Sequence, residues 1–393
     1  MIQAVLSNPL HPEYGAATIS FPVSHDQYAC CMELLEVLEI GDAVKADCKV
    51  EEIDSFYTVL KRIEMLTVNV EELNYLAKRL ESFDDGEAAQ FQAMAHKLEL
   101  FELKDLINLT FCCQQATVIT DFSDLAAVGR DHYMNLHGGS ARVDELEALD
   151  GEETARLLIE SGSGTITPYG VAYDNGMKLE QAYDGQFFPC YYYEPNASAI
   201  AVTSKSEPED SERITWLFLP MAQEEIDHAL LRAGITDPSE IRLRLVESHL
   251  PDEVDVLLDM ENESIGDLNA LAQATVGFSD DSRRKLGAVM TMAKPKNAEQ
   301  IKNLTENIDL FDFAPGTYTP EEYGKYMIRQ SGRFEYDENL DEFYDYEGYA
   351  MQCMSEEDGM FTDRGYIAYK GYTSLTEIMD GSQSRCMEMG GMT

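Results

Sequence analysis

Two stretches of this chain align with each other without a gap. Leu73 to Thr110 begins Leu-Asn-x-Leu-Ala, carries an Asp just after a Phe and ends Asn-Leu-Thr, and Leu268 to Thr305, 195 residues later, does the same. The register extends outward: Gly129-Arg130 falls on Gly324-Lys325, Val171-Ala172-Tyr173 on Ile367-Ala368-Tyr369 and Phe21-Pro22 on Leu219-Pro220, the offset drifting only between 195 and 198. Self-similarity of this kind constrains the fold more than any single motif, because each copy repeats one pattern of apolar faces to bury. The chain therefore reads as two units, 1–185 and 197–381, joined by a linker at 186–196 and followed by a C-terminal tail at 382–393.

Each unit changes pattern along its length. Ile2 to Leu6 with Ala17 to Phe21, and Ala199 to Ser204 with Ile214 to Leu219, are short apolar runs around a loop and predict β-hairpins. Ser24 followed by Gln27 is a capping-box signature ahead of Tyr28, Cys31, Leu34, Leu35 and Leu38 at helical spacing. The matching helix of the second unit runs from about Gln223 to Arg232 and stops at Gly234, a C′ glycine. A strand follows, clearest at Arg242 to Val246. The middle is helical, with Leu73, Leu76, Ala77, Leu80 and Phe83 on one stripe and Glu71, Glu72, Glu81 and Asp84 off it. The last third is a helix at Ser123 to Tyr133 or Thr319 to Arg329, an acidic aromatic segment, and a closing hairpin at Gly170 to Gly176 or Gly365 to Gly371. The expected class is α+β: an elongated tandem repeat of two units, each of three small subdomains (hairpin plus helix, helical middle, small α+β).

Charge narrows the partners. The 393 residues hold 73 Asp and Glu against 29 Lys and Arg, a formal net charge of −44 that divides as −22 over 1–200 and −22 over 201–393. Binding to DNA or RNA phosphate needs the opposite sign, so nucleic acid is excluded as a direct partner. With 44% apolar and 10% aromatic residues the chain is not an acidic disordered tail either. No stretch approaches the roughly 18 apolar residues of a membrane span, and Met1 to Pro9 lacks the start of a secretory signal. A cytoplasmic protein with no membrane partner is expected.

Catalytic machinery is thin. His11, His25, His96, His132, His137, His228 and His249 show no zinc spacing, and none recurs at the repeat offset. Cys30-Cys31, Cys112-Cys113, Cys48, Cys190, Cys353 and Cys386 form no C-x-x-C pair and read as small core hydrophobes. Ser161-Gly162-Ser163-Gly164-Thr165 resembles a phosphate loop, but no Lys follows and its counterpart is Glu356-Glu357-Asp358-Gly359, so it reads as a hairpin turn. Asp337-x-Asn339-x-Asp341 invites calcium, yet the Gly and Glu that such a loop needs are reversed at Glu342 and Gly348. No catalytic residue, cofactor or metal is assigned. The alternative is an acidic hydrolase or metal-dependent enzyme using one of the carboxylate clusters.

The acidity itself remains. Phe334 to Tyr349 sets Glu335, Asp337, Glu338, Asp341, Glu342, Asp345 and Glu347 among Tyr and Phe rings. Asp252, Glu253, Asp255, Asp259, Glu261, Glu263 and Asp267 form a second run, Glu321 and Glu322 lie between them, and the first unit offers Asp144, Glu145, Glu147, Asp150, Glu152 and Glu153. Self-repulsion on this scale destabilises the compact state, so something has to gain from the field. Carboxylates on a folded scaffold can imitate the phosphates of a duplex. At one charge per roughly 1.7 Å of B-DNA, the net charge corresponds to about 75 Å, or about 22 base pairs. A protein with a DNA-binding channel of that size is the expected partner.

The second copy, from Trp216-Leu217-Phe218-Leu219-Pro220 through Leu268-Asn269-x-Leu271 and Pro320-Glu321-Glu322-Tyr323-Gly324 to Tyr344-Asp345-Tyr346-Glu347-Gly348-Tyr349-Ala350, resembles the ArdA antirestriction proteins of conjugative elements. Its Tyr-Asp-Tyr-Glu-x-Tyr segment is similar to that family's antirestriction motif up to Ala350, after which Met351 and Gln352 stand where Arg and Asp are usual. Leu149-Asp150-Gly151-Glu152-Glu153-Thr154 in the first copy keeps the acids and loses the rings. The resemblance implies a non-enzymatic DNA mimic that occupies the DNA-binding site of type I restriction-modification enzymes and protects a mobile element. It also implies a dimer contact near Tyr344, Tyr346 and Tyr349. With two copies in one chain, a pseudo-dimer is expected, a homodimer through the second copy being the other arrangement.

Overall fold

The structure, a computed structural model, describes residues 1–381; the tail expected at 382–393, with Cys386, lies outside the described residues. The fold is α+β, with small sheets. The chain separates into two compact units, the first Met1–Tyr193 with Arg213–Thr215 and Ala222–Pro238, the second Glu194–Glu212 with Trp216–Met221 and Ser239 onward. No helix among the described residues is long and apolar enough to cross a membrane.

The first unit opens with β1 (Ile2–Ser7) and β2 (Ala16–Phe21), antiparallel with Ile2 opposite Phe21, followed by α1 (His25–Val37). β3 (Cys48–Ser55) and β4 (Thr67–Val68) complete a sheet of order β2-β1-β3-β4. Alternation and helical spacing anticipate β1, β2 and α1, with Tyr28, Cys31, Leu35 and Leu38 buried, but Leu34, expected on the same stripe, is exposed, and β3 and β4 are given no bounds by the sequence pattern. Ser24 does occupy the N-cap, but its hydroxyl donates to Asp26 at 2.5 Å and closes no box with Gln27. Cys31, Cys48, Cys112 and Cys113 are buried as expected, whereas Cys30 and Cys190 face solvent.

The helical middle is α2 (Val70–Glu81), α3 (Asp85–Lys97) and α4 (Leu103–Leu109), which share one apolar core with the first sheet. Its third part is β5 (Thr117–Ile119), α5 (Leu125–Leu136), α6 (Val143–Ala148), α7 (Gly151–Glu160), β6 (Thr165–Thr167) and β7 (Gly170–Tyr173), with sheet order β5-β7-β6. The closing hairpin differs from the expectation: Gly170–Tyr173 is its second strand, and Ser161 is the C-cap of α7, with its N–H bonded back into the last turn. Ser161 to Gly164 is therefore the exit from a helix and not a hairpin turn.

Residues 186–193, expected within a linker, pack on this unit. Phe188 stacks on Tyr75 at 4.6 Å and on Tyr183 at 5.0 Å, and Arg79 lies 4.3 Å over Phe111 and 4.5 Å over Tyr191. The unit also takes up α8 (Gln223–Arg232), which ends at Gly234 with φ +75°, as a C′ glycine should. Arg232 is 5% exposed at its end, and its guanidinium donates to the carbonyls of Ala43, Gly185 and Gln186, to Asn69 Oδ1 and to Glu72.

In the second unit β8 (Ser198–Ser204), β9 (Thr215–Leu219) and β10 (Ile241–Ser248) form a sheet of order β10-β8-β9. α9 (Asp252–Leu257), α10 (Ile265–Thr275), α11 (Asp280–Ala293) and α12 (Ala298–Glu306) follow. β11 (Phe311–Pro315), α13 (Pro320–Arg329), a 3-10 turn at Glu338–Phe343, α14 (Tyr346–Glu356), β12 (Asp358–Thr362), β13 (Gly365–Tyr369) and α15 (Leu375–Met379) close it, with sheet order β11-β13-β12. Here too the predicted closing segment is the second strand of its hairpin.

Helix starts coincide between the two units. Leu125, Val143 and Gly151 open α5, α6 and α7, and Pro320, Glu338 and Tyr346, each 195 residues on, open α13, the 3-10 turn and α14. Each unit also needs a glycine at one helix crossing. A Cβ on Gly129 would lie 1.9 Å from the carbonyl oxygen of Gly151, and one on Gly324 would lie 2.0 Å from that of Tyr346.

Candidate partner-binding surface

The acidic aromatic segment is built outward from α13. Thr319 caps that helix in a reciprocal box with Glu322, Pro320 presets its first turn, and Tyr323 and Met327 face the core. The chain then turns through Phe334 and the 3-10 turn to Asp345, whose side chain accepts the N–H of Gly348 at 2.9 Å and so starts α14. Sequence reading left this second helix unassigned, although an Asp ahead of an Ala, Met and Cys run is a legible N-cap. Rings hold the segment in place: Tyr336, Tyr344 and Tyr346 follow one another at 5.8 and 5.7 Å, and Phe334 meets Tyr349 edge-on at 5.7 Å. Tyr346 is buried, and Tyr344 and Tyr349 are half-buried within this unit.

Ten of the sixteen carboxylates singled out in the second unit already serve the fold. Glu253 takes two bonds of 2.8 Å from Arg364, which hold it below the usual carboxylate range. Asp255 accepts from Ser248 at 2.7 Å, and Glu263 accepts the N–H of Ala298 at the start of α12; burial nevertheless pushes both carboxyls up. Asp259 turns the chain by accepting from Glu261 and Asn262, Asp267 pairs with Ser264, Glu321 with Lys325, and Glu322, Asp337 and Asp345 are helix or turn caps. Asp341 receives the hydroxyls of Tyr336 and Tyr346 and the guanidinium of Arg329; these bonds, Tyr336 first, hold it down to about 2.

The remaining six, Asp252, Glu261, Glu335, Glu338, Glu342 and Glu347, are exposed and spend their carboxylates on no hydrogen bond or ion pair among the described residues. Four of these, Glu335, Glu338, Glu342 and Glu347, lie within thirteen consecutive positions. In the first unit Asp144 pairs with Arg142 and Glu152 with Arg156, Glu145 accepts from Tyr133, and Asp150 caps α7, which leaves Glu147 and Glu153 exposed and, among the described residues, unpaired. Arg329 and Tyr336 were not singled out by sequence reading. A cation in the last turn of a helix is ordinarily explained by the helix dipole, which hid its tie to an acid twelve residues on.

Fold and surface together define an acidic α+β protein that displays unpaired carboxylates beside a cluster of packed aromatic rings; its described residues contain no cluster able to hold a metal ion. Residues 213–368 match the antirestriction protein family ArdA. The matched stretch runs from the approach to β9 through α8 to β13 and contains the whole acidic aromatic segment. No curated protein matches the chain.

Proposed function

We propose that this chain is a non-enzymatic antirestriction protein, two tandem ArdA-like units in one polypeptide, that acts as an acidic DNA mimic in the DNA-binding site of a type I restriction-modification enzyme. The observation that carries the reading is the set of six exposed, unpaired carboxylates inside the family-matched stretch. A carboxylate paired with a cation of its own fold, as Glu253, Glu321 and Asp341 are, has much of its charge compensated, whereas an exposed unpaired one is free both to attract a basic channel at long range and to form new bonds on contact. The 195-residue spacing of helix starts supports the tandem organisation, and the wide distribution of charge supports a pseudo-dimer in which the two units stand in for two subunits of a cytoplasmic inhibitor.

Purified chain, titrated into a type I restriction enzyme with its DNA substrate, tests this. Inhibition should be stoichiometric, competitive with DNA, unaffected by chelators and weakened by salt, because exposed charges are screened within about 8–10 Å at physiological ionic strength. Sedimentation should give a mass near 44.2 kDa. Inhibition that turns over, or that needs a divalent ion, would favour the hydrolase alternative, and a mass twice as large would replace the pseudo-dimer by a homodimer.

A further inference from the structure

Arg329, in the last turn of α13, lies 5.5 Å from the ring centre of Tyr336 and 5.3 Å from that of Tyr346. Its Nε donates to the Tyr346 hydroxyl at 3.3 Å, and it pairs with Asp341, the carboxylate that also receives both tyrosine hydroxyls. Residues from α13, the 3-10 turn, α14 and the loop before the turn thus close on one acid. The neighbours of that acid pull the other way. Glu335, Glu338 and Glu342 are exposed and, among the described residues, unpaired; their repulsion favours unravelling, and a six-residue 3-10 turn has little stability of its own.

The first unit gives an independent comparison. The positions 195 residues before Arg329, Tyr336, Asp341 and Tyr346 are Met134, Ala141, Leu146 and Gly151, so every polar or aromatic member is replaced. Helix starts keep their register across this change, and an ordinary helix, α6, stands where the second unit has its 3-10 turn. Removing one member of a polar cluster leaves the others unsatisfied, whereas replacing all of them with apolar or small residues is tolerated. The cluster is therefore a complete device, present in one unit and absent as a whole from the other.

We propose that Arg329 is a positioning residue that holds the acidic segment 334–349 in the arrangement the partner meets, and that the second unit alone carries this device. The proposal rests on the DNA-mimic reading above. Its test uses the full chain with Arg329→Met, the residue at the corresponding position of the first unit, and with the double variant Arg329→Met/Asp341→Leu, which leaves no orphaned charge. Hydrogen exchange over 334–349 and inhibition of a type I enzyme are measured at several salt concentrations.

Both variants should keep protection elsewhere in the second unit, lose it in 334–349, and inhibit about tenfold more weakly, the scale expected when a loop has to be ordered on binding. In the double variant, whose net charge is unchanged, the salt dependence of inhibition should stay as in the wild type, because the six exposed carboxylates are untouched. Arg329→Lys should recover part of the inhibition through the ion pair alone, without the planar fork over the rings. Three results overturn the proposal: unchanged inhibition by Arg329→Met, a reduced salt dependence in the charge-neutral double variant that marks the pair as a direct contact, or loss of protection across the whole unit in both variants. A wild-type chain that does not inhibit at all would overturn the DNA-mimic reading instead, with the exchange pattern still reporting whether Arg329 orders the segment.

Discussion

Replacing Arg232 with Ala should weaken the first unit more than most single changes. The side chain uses all its donor groups within the unit, bonding three carbonyl oxygens at 2.9–3.2 Å, Asn69 at 3.0 Å, Glu72 at 3.3 Å and the Tyr183 hydroxyl, with the Phe188 ring 4.6 Å away. Removing one partner of a buried ion pair costs about 3–5 kcal/mol, because the other charge stays behind without compensation. The Glu72 side chain is 17% exposed, so water reaches part of it and the lower end of that range applies, about 3 kcal/mol. For a unit of this size, about 2–4 °C per kcal/mol places the fall in melting temperature near 10 °C. Urea unfolding followed by circular dichroism measures the change, and hydrogen exchange should show the α8 amides losing protection first. Arg232→Met combined with Glu72→Met should cost less than Arg232→Ala alone, since no charge is orphaned. A loss below about 1 kcal/mol for Arg232→Ala, or a double variant worse than the single, would refute the reasoning.

Glycine substitutions separate backbone crowding from helix propensity. Gly324→Ala and Gly129→Ala each drive a methyl into a carbonyl oxygen across a helix crossing and should cost about 1–3 kcal/mol or more, whereas Gly266→Ala, whose methyl would come no closer than 3.8 Å to a neighbour, should be neutral or stabilising by up to about 1 kcal/mol in the same unfolding assay. The first unit should also lose stability as pH rises through neutrality. His228 titrates above its ordinary value because it bonds Glu71, against the opposing effect of burial and with Asp42 and Asp227 adding to the field; the Tyr28 hydroxyl shares the same Glu71. A raised folded-state pKa contributes fully below about pH 6.5 and is lost as pH climbs through the raised value. His228→Gln should flatten that part of the stability profile, and an unchanged profile would remove His228 as its source.

Much of the architecture is legible in the sequence itself. Pairing of Ile2 with Phe21, the stripe Leu73, Leu76, Ala77 and Leu80, and the stop of α8 at Gly234 all follow from periodicity and backbone conformation, which act over a few residues. The N-cap at Asp345 is equally local, but its acidic neighbours mask it. Net charge, too, is a property of composition alone. Which carboxylates remain free is a different kind of fact. Glu253 and Glu338 look alike in the chain, yet one meets Arg364, 111 residues away, and the other meets solvent. Arg232 reads as a helix-end cation until Ala43, Asn69, Glu72, Tyr183 and Gly185 are brought around it. Desolvation and ion pairing depend on neighbours that the path of the chain assembles, so the sequence can count the charges but only the folded arrangement separates those spent on the protein from those left for a partner.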